Sequence, residues 1–200
     1  MLSGKRSPRV SKGANSDLSP EISGGQGISL ARLFYYHYII SMKKLFIIPG
    51  WRESSQYKIY QSLGKLAEKK GYKVVFYDVD WEKSLSSQIF PVQKDTALFG
   101  FSLGAVFARL VAQDYKCRQI ILASMTPLHS FKDEQIKKEL VTLLGKAFIE
   151  DICKKLKSKH RASDQVIMYG DREEELGDII VSLTGHRLNT RYNKKIAELL

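Results

Sequence analysis

The chain has 200 residues, which is about one domain of ordinary size, and its two cysteines exclude a disulfide scaffold and lack the CxxC spacing of a zinc or redox site. A reducing compartment, and with it a cytoplasmic location, is therefore expected. The net charge of +11 includes a surplus of three positive charges from residues 1–41. The remaining lysines are scattered over predicted helix faces, without the aromatic residues of a nucleic-acid site. No specific nucleic-acid partner is therefore expected.

The amino-terminal part of the chain does not resemble a folded core. Residues 1–28 are rich in Ser, Gly and Lys and have no apolar periodicity, so we predict disorder there. Residues 29–40, "SLARLFYYHYII", are apolar but too few to cross a bilayer as a helix, and we expect no transmembrane anchor. The sequence predicts an extension over 1–41 and a folded domain over 42–200, which opens with "MKKLFIIPGW".

Six short apolar runs follow in the predicted domain, and longer amphipathic stretches separate most of them. The predicted strands are "LFIIP", "KVVFY", "TALFG", "QIILAS", "QVIMYG" and "IIVSL". A helix with Ser55 as its cap and Gly71 at its end lies between the first two, "LGAVFARLVAQDY" follows the third, and residues 131–159 form a helical region interrupted near Gly145. This alternation predicts an α/β fold with a mostly parallel sheet of about six strands flanked by helices.

The carboxyl ends of parallel strands share one edge of the sheet, where reactive residues collect. Gly100-x-Ser102-x-Gly104 follows the strand "TALF" and opens a helix, which is the context of a nucleophile elbow. The glycines let strand and helix approach closely and hold the serine hydroxyl at the helix amino terminus. We predict that Ser102 is a nucleophile, while an ordinary glycine-bearing turn is the alternative.

A serine nucleophile needs an imidazole base and a carboxylate that orients it. His186 lies in "SLTGHRL" just after the last strand, whereas His37 and His160 are expected in solvent. Asp171 follows the fifth strand in "VIMYGD", so the chain order Ser, Asp, His is obtained. We predict His186 as the base and Asp171 as the acid, and the neighbouring residues 173–175, all Glu, are near enough to replace Asp171.

Backbone amides must also stabilise the oxyanion, and the predicted donors are the N–H groups of Leu103 and Trp51. Leu103 follows the nucleophile, and Trp51 lies in the loop after the first strand. Three side chains, those of Phe101, Trp81 and His129, are predicted beside the substrate. The aromatic side chains of Trp51, Trp81 and Phe101 either form an apolar acyl pocket or simply pack.

With these motifs in place, residues 43–200 resemble the α/β-hydrolase superfamily, in particular its small bacterial members that carry little or no lid. The resemblance lies in "FIIPGW", "FGFSLG", "YGD" and "TGHRL". It implies a cofactor-free and metal-free serine hydrolase that acts on a small-molecule ester, thioester or similar acyl bond. The chain departs from the family between Asp171 and His186, where 15 positions leave no room for a crossover helix; an antiparallel last strand would place His186 at the wrong edge.

Two other functions are consistent with the sequence. The strand followed by Asp78-x-Asp80 resembles the acidic motif of haloacid-dehalogenase-like phosphatases, in which Asp78 would attack phosphorus beside magnesium and Ser124 would supply a hydroxyl. Glu82 stands where that motif expects Thr or Val, and the motif lies on the second strand rather than the first. The second alternative is a hydrolase fold used as a binding module with little or no turnover.

Overall fold

The computed structural model describes residues 43–157 and 159–200. The predicted extension over residues 1–41 lies outside the described residues. The described part contains six strands: β1 Lys44–Ile48, β2 Lys73–Phe76, β3 Ala97–Phe101, β4 Gln119–Ala123, β5 Asp164–Gly170 and β6 Ile179–Val181. All six predicted strands are present, and their ends differ from the prediction by a residue or two.

Five α-helices accompany these strands in the described residues. They are α1 Lys58–Lys69, α2 Leu103–Asp114, α3 Glu134–Leu144, α4 Lys146–Lys155 and α5 Thr190–Leu199. Gly145, with φ of 89°, separates α3 from α4, as the sequence predicted. The predicted cap of α1 is wrong: Tyr57 is the N-cap residue, and the Ser55 N–H and hydroxyl instead donate to the Asp78 carboxylate over 2.7 and 2.9 Å.

The strands form one parallel sheet in the order β2-β1-β3-β4-β5-β6. The last strand is parallel to β5, with Met168 opposite Ile179 and Gly170 opposite Val181. The connection between them, residues 171–178, contains no helix. Because every strand runs the same way, all the carboxyl ends lie at one edge of the sheet, and the loop that carries His186 starts from that edge.

Side chains of the central strands pack on both faces of the sheet. In β1, Leu45 and Ile47 belong to the same buried cluster as residues of α1 and α5, whereas Ile48 belongs to the cluster formed with α2 and α4. Successive side chains of a strand point to opposite faces, and both faces are covered, so the strand sequence is apolar at nearly every position. This is the α/β architecture with a flanked parallel sheet that the sequence predicted.

Candidate active site

Ser102 joins β3 to α2 in a strained backbone conformation, with φ of 54° and ψ of −123°. The sharp turn is possible because its neighbours have no side chain. A Cβ on Gly100 would lie 2.4 Å from the Gly104 carbonyl oxygen, and one on Gly104 would lie 2.2 Å from the Pro49 carbonyl oxygen. The two glycines therefore allow strand, helix and the loop after β1 to touch, and Ser102 lies at the point of contact.

His186 meets Ser102 at the edge of the sheet. Its Nε2 atom is 2.9 Å from the Ser102 Oγ atom, although 84 positions separate the two residues in sequence. The imidazole ring lies beside the Phe101 ring, with a centroid separation of 5.5 Å. Its side chain is 54% exposed, so the imidazole faces solvent on one side. The structure thus brings together the two side chains predicted as nucleophile and base, and their catalytic roles stay predictions.

The carboxylate at the other imidazole nitrogen is that of Glu173. The Glu173 Oε2 atom lies 2.9 Å from the His186 Nδ1 atom, and the Glu173 side chain is only 10% exposed. The expectation that Asp171 would make this contact is corrected by the structure: the chain turns after β5 so that the residue two positions later faces the imidazole. Glu173 is one of the three glutamates that the sequence offered as replacements.

Three further donors hold Glu173. Its Oε1 atom accepts hydrogen bonds from the Gly170 N–H at 2.8 Å, the Ser124 hydroxyl at 2.7 Å and the Tyr192 hydroxyl at 2.9 Å. Desolvation by itself would raise the pKa of Glu173, but the hydrogen bonds from His186 and these three groups outweigh it and hold the pKa at about 2. The carboxylate is therefore charged at neutral pH.

Asp171 holds the loop that carries the base. Its two carboxylate oxygens accept the N–H groups of Leu183 and Thr184 over 2.7 and 3.0 Å. These bonds lower the pKa of Asp171 below its ordinary value. Leu183 has φ of 54°, so the bonds stabilise a turn that its side chain disfavours. Asp171 thus contacts the backbone on the way to His186 rather than the imidazole itself.

The two predicted oxyanion donors come from the residue after the serine and from the loop after β1. Leu103 is the first residue of α2, where N–H groups have no partner within the helix. The loop that contains Trp51 lies against the elbow, since a Cβ on Gly50 would lie 3.3 Å from the Ser102 Cβ atom. Within the described residues, neither the Leu103 nor the Trp51 amide donates a hydrogen bond to another group. Both amides therefore lack an acceptor within the described residues.

The residues predicted to line a substrate pocket lie in three different places. Phe101 is only 2% exposed and packs against His186 and Tyr192, so its prediction as a pocket residue is corrected: it continues the buried side of β3. Trp81 lines a cavity of about 380 Å³ together with Trp51. The third residue, His129, is 62% exposed, and its Nε2 atom lies 3.7 Å from the Glu175 carboxylate.

The residues of the phosphatase alternative are not brought together. Asp78 follows the edge strand β2 and accepts two hydrogen bonds from Ser55. Ser124 follows β4, and β1 and β3 lie between β2 and β4 in the sheet. The Ser124 hydroxyl donates a hydrogen bond to Glu173. In residues 43–157 and 159–200, no group of three or more His, Cys, Asp and Glu side chains is arranged to bind a metal ion. The separation of Asp78 and Ser124 does not support the phosphatase hypothesis.

Two residues beside Glu173 were not predicted to contact it: the sequence placed Ser124 only in the phosphatase alternative and gave Tyr192 no role. Ser124 and Tyr192 are both fully buried, and their hydroxyl oxygens lie 2.7 Å apart next to Glu173. Ser124 also has φ of 45°. The signal available for Ser124 was its position directly after a strand, at the reactive edge of the sheet. Tyr192 lies within α5, and nothing in the local pattern indicates that it reaches the acid.

Comparison with known proteins supports the fold. No protein-family model matches the sequence, and a search of curated proteins finds no match. Solved structures do match: Est1E from Butyrivibrio proteoclasticus aligns at 12% identity and a TM-score of 0.58, over 78% of this chain and 84% of that one. Alpha/beta hydrolase domain-containing protein 10 from mouse aligns at 11% identity and a TM-score of 0.55, over 78% of this chain and 87% of that one.

A third structure, an alpha/beta-superfamily protein from Xanthomonas campestris pv. campestris, aligns at 15% identity and a TM-score of 0.53. The alignment covers 80% of this chain and 97% of that one. The chain therefore has the α/β-hydrolase fold, which confirms the resemblance seen in the sequence at the level of the fold. No helix in the described ranges has the length and apolar character needed to cross a membrane.

Proposed function

We propose that this protein is a serine hydrolase that cleaves a carboxylic ester or a related acyl bond through an acyl-enzyme on Ser102. The observation that carries the proposal is the pair of 2.9 Å contacts that link Ser102 to His186 and His186 to Glu173. An alcohol, an imidazole and a charged carboxylate in this arrangement can activate the alcohol and stabilise the imidazolium that results. The α/β-hydrolase fold supports the general class.

In the proposed reaction, the His186 Nε2 atom accepts the proton of the Ser102 hydroxyl as the Oγ atom attacks the acyl carbon. Glu173 accepts the His186 Nδ1–H and stabilises its positive charge. The Leu103 and Trp51 N–H groups donate to the oxyanion of the tetrahedral intermediate. His186 then returns the proton to the leaving group, and a water molecule hydrolyses the acyl-enzyme by the same proton transfers in a second round.

The proposed substrate is a small molecule with an exposed acyl bond. The half-exposed imidazole gives solvent and leaving groups direct access to the site. The cavity of about 380 Å³ is lined by Trp51 and Phe148, and Trp51 directly follows Gly50, which packs against Ser102; the cavity is therefore the candidate position for the acyl part. The chemistry needs only side chains and backbone amides of this chain. A cytoplasmic location stays a prediction.

A fluorophosphonate probe tests the proposal directly, because it forms a covalent bond with an activated serine. We expect the wild type to be labelled on Ser102 and the Ser102→Ala and His186→Ala variants not to be labelled. Ser87→Ala is a matched control, since its hydroxyl lies on the surface and donates to the Ser84 carbonyl. Chromogenic esters of graded acyl length then report turnover. A folded wild type that neither labels nor hydrolyses any ester would favour the binding-module alternative.

A further inference from the structure

A second hydrogen-bonded cluster lies beneath the loop that carries Trp51. The Gly50 N–H is 3.2 Å from the Glu53 Oε2 atom and 3.2 Å from the Tyr60 hydroxyl oxygen. The Tyr60 hydroxyl donates to the same Glu53 oxygen in a short hydrogen bond. Tyr60 is fully buried on α1, and neither it nor Glu53 contacts His186 in the reaction proposed above.

Glu53 fixes both peptide groups around Gly50. Its side chain accepts the Gly50 N–H, which belongs to the peptide group that follows Pro49. Its own N–H donates to the Gly50 carbonyl oxygen at 3.1 Å. That carbonyl and the Trp51 N–H belong to one planar trans peptide group and point in opposite directions. Holding the Gly50 carbonyl therefore sets the direction of the Trp51 N–H.

The cluster is also in contact with the nucleophile. A Cβ on Gly50 would lie 3.0 Å from the Glu53 Oε2 atom and 3.3 Å from the Ser102 Cβ atom, so Gly50 packs closely against both the carboxylate and the serine. Burial and the neighbouring Glu53 raise the pKa of Tyr60 well above its ordinary value. The phenol thus keeps its proton at neutral pH and donates it to Glu53.

We infer that Glu53 and Tyr60 are positioning residues that hold the loop after β1 so that the Trp51 N–H faces the oxyanion. This inference rests on the proposed function. It predicts an effect on the transition state more than on the bound substrate, because the oxyanion forms only during reaction. Loss of one oxyanion donor costs about 10²- to 10³-fold in kcat, and a misdirected donor costs part of that.

The test compares Tyr60→Phe, Glu53→Ala and Glu53→Gln, with p-nitrophenyl acetate as substrate and fluorophosphonate labelling as a second readout. We expect kcat to fall about tenfold in Tyr60→Phe and about 30-fold or more in Glu53→Ala, with KM changed less than twofold. Glu53→Gln should restore kcat to within about threefold of the wild type, because its amide oxygen still accepts both hydrogen bonds. Labelling rates should fall in the same order.

Tyr72→Phe is the matched control. Tyr72 is buried like Tyr60, but its hydroxyl donates to the Leu200 carbonyl at the amino-terminal end of the strands, away from Ser102. Melting temperatures are measured for every variant. If Glu53→Ala does not fold, Tyr60→Phe decides the question. An active wild type with unchanged kcat in Tyr60→Phe, or a Glu53→Gln variant as impaired as Glu53→Ala, would overturn this inference alone. An inert, unlabelled wild type would remove the proposed function and the inference together.

Discussion

Replacement of Glu173 by Gln removes the negative charge beside the imidazole and leaves the side-chain shape nearly unchanged. The His186–Glu173 contact of 2.9 Å places the two charge centres about 4 Å apart, and at an effective dielectric constant of about 20 their attraction is about 4 kcal/mol. About 1.4 kcal/mol corresponds to a tenfold change in rate, so the upper limit is about 10³-fold in kcat. Because the imidazole is 54% exposed, solvent screens part of this attraction, and we expect a loss of about 10²- to 10³-fold.

The matched comparison is Asp171→Asn, which changes a carboxylate two positions away. Asp171 accepts two backbone N–H groups and does not contact the imidazole, and an amide oxygen can still accept one of these bonds. We expect a loss in kcat of less than about tenfold for this variant. Both variants are assayed under saturating ester, with circular dichroism to confirm that they are folded.

The reasoning is refuted if Asp171→Asn loses more activity than Glu173→Gln. The acid would then be the residue that the sequence order favoured, and the loop after β5 would have to rearrange in solution. Equal losses below tenfold in both variants would also contradict the assignment, because neither carboxylate would then stabilise the imidazolium.

Three further outcomes are expected. The pKa of Glu173 is about 2, against an ordinary value of about 4.3, so between these pH values the unfolded chain binds a proton that the folded chain does not. The free energy of unfolding should therefore fall as the pH drops through that window. Urea midpoints at pH 6 and pH 3 should accordingly differ less in Glu173→Gln than in the wild type. Gly104→Ala should lower the free energy of unfolding by about 3 kcal/mol, measured with urea, because its Cβ would lie 2.2 Å from the Pro49 carbonyl oxygen; an unchanged midpoint would show that the contact relaxes freely. Ser102→Gly should abolish labelling yet raise the melting temperature by about 2 to 4 °C, because glycine accepts the φ of 54° without strain; a lower melting temperature would contradict the strain.

Most of the fold was predictable because the central strands are apolar on both faces. That pattern predicts a parallel sheet covered on both faces, and the turn-forming residues between the apolar runs are local signals for the ends of the strands. The meeting of Ser102 and His186 was predictable for a related reason: Ser102 directly follows β3, His186 lies in the loop after β6, and the parallel topology brings both positions to one edge. The parallel direction of β6 itself was not fixed by the sequence, because residues 171–178 lack the helix that normally makes such a connection.

Which carboxylate contacts His186 depended on contacts between distant segments. Asp171 and Glu173 both follow β5, and local sequence does not separate them. What separates them is the pair of buried hydroxyls from Ser124 and Tyr192, which come from β4 and α5 and converge on Glu173. The burial of Phe101 was predictable from the strand pattern. Phe101 lies two positions after Phe99 in β3, so the two side chains point to the same buried face of the sheet.

The direct turn from β5 to β6 means that the loop carrying His186 follows an edge strand, β6, which is the shortest of the six strands in the described residues. β6 has three residues and pairs with a neighbour on one side only, so few backbone hydrogen bonds need to open for it to detach. Local opening of such an edge requires less free energy than melting of the central strands. The imidazole would then leave the alcohol while the rest of the sheet is intact, and on heating, catalysis would be lost at a lower temperature than secondary structure.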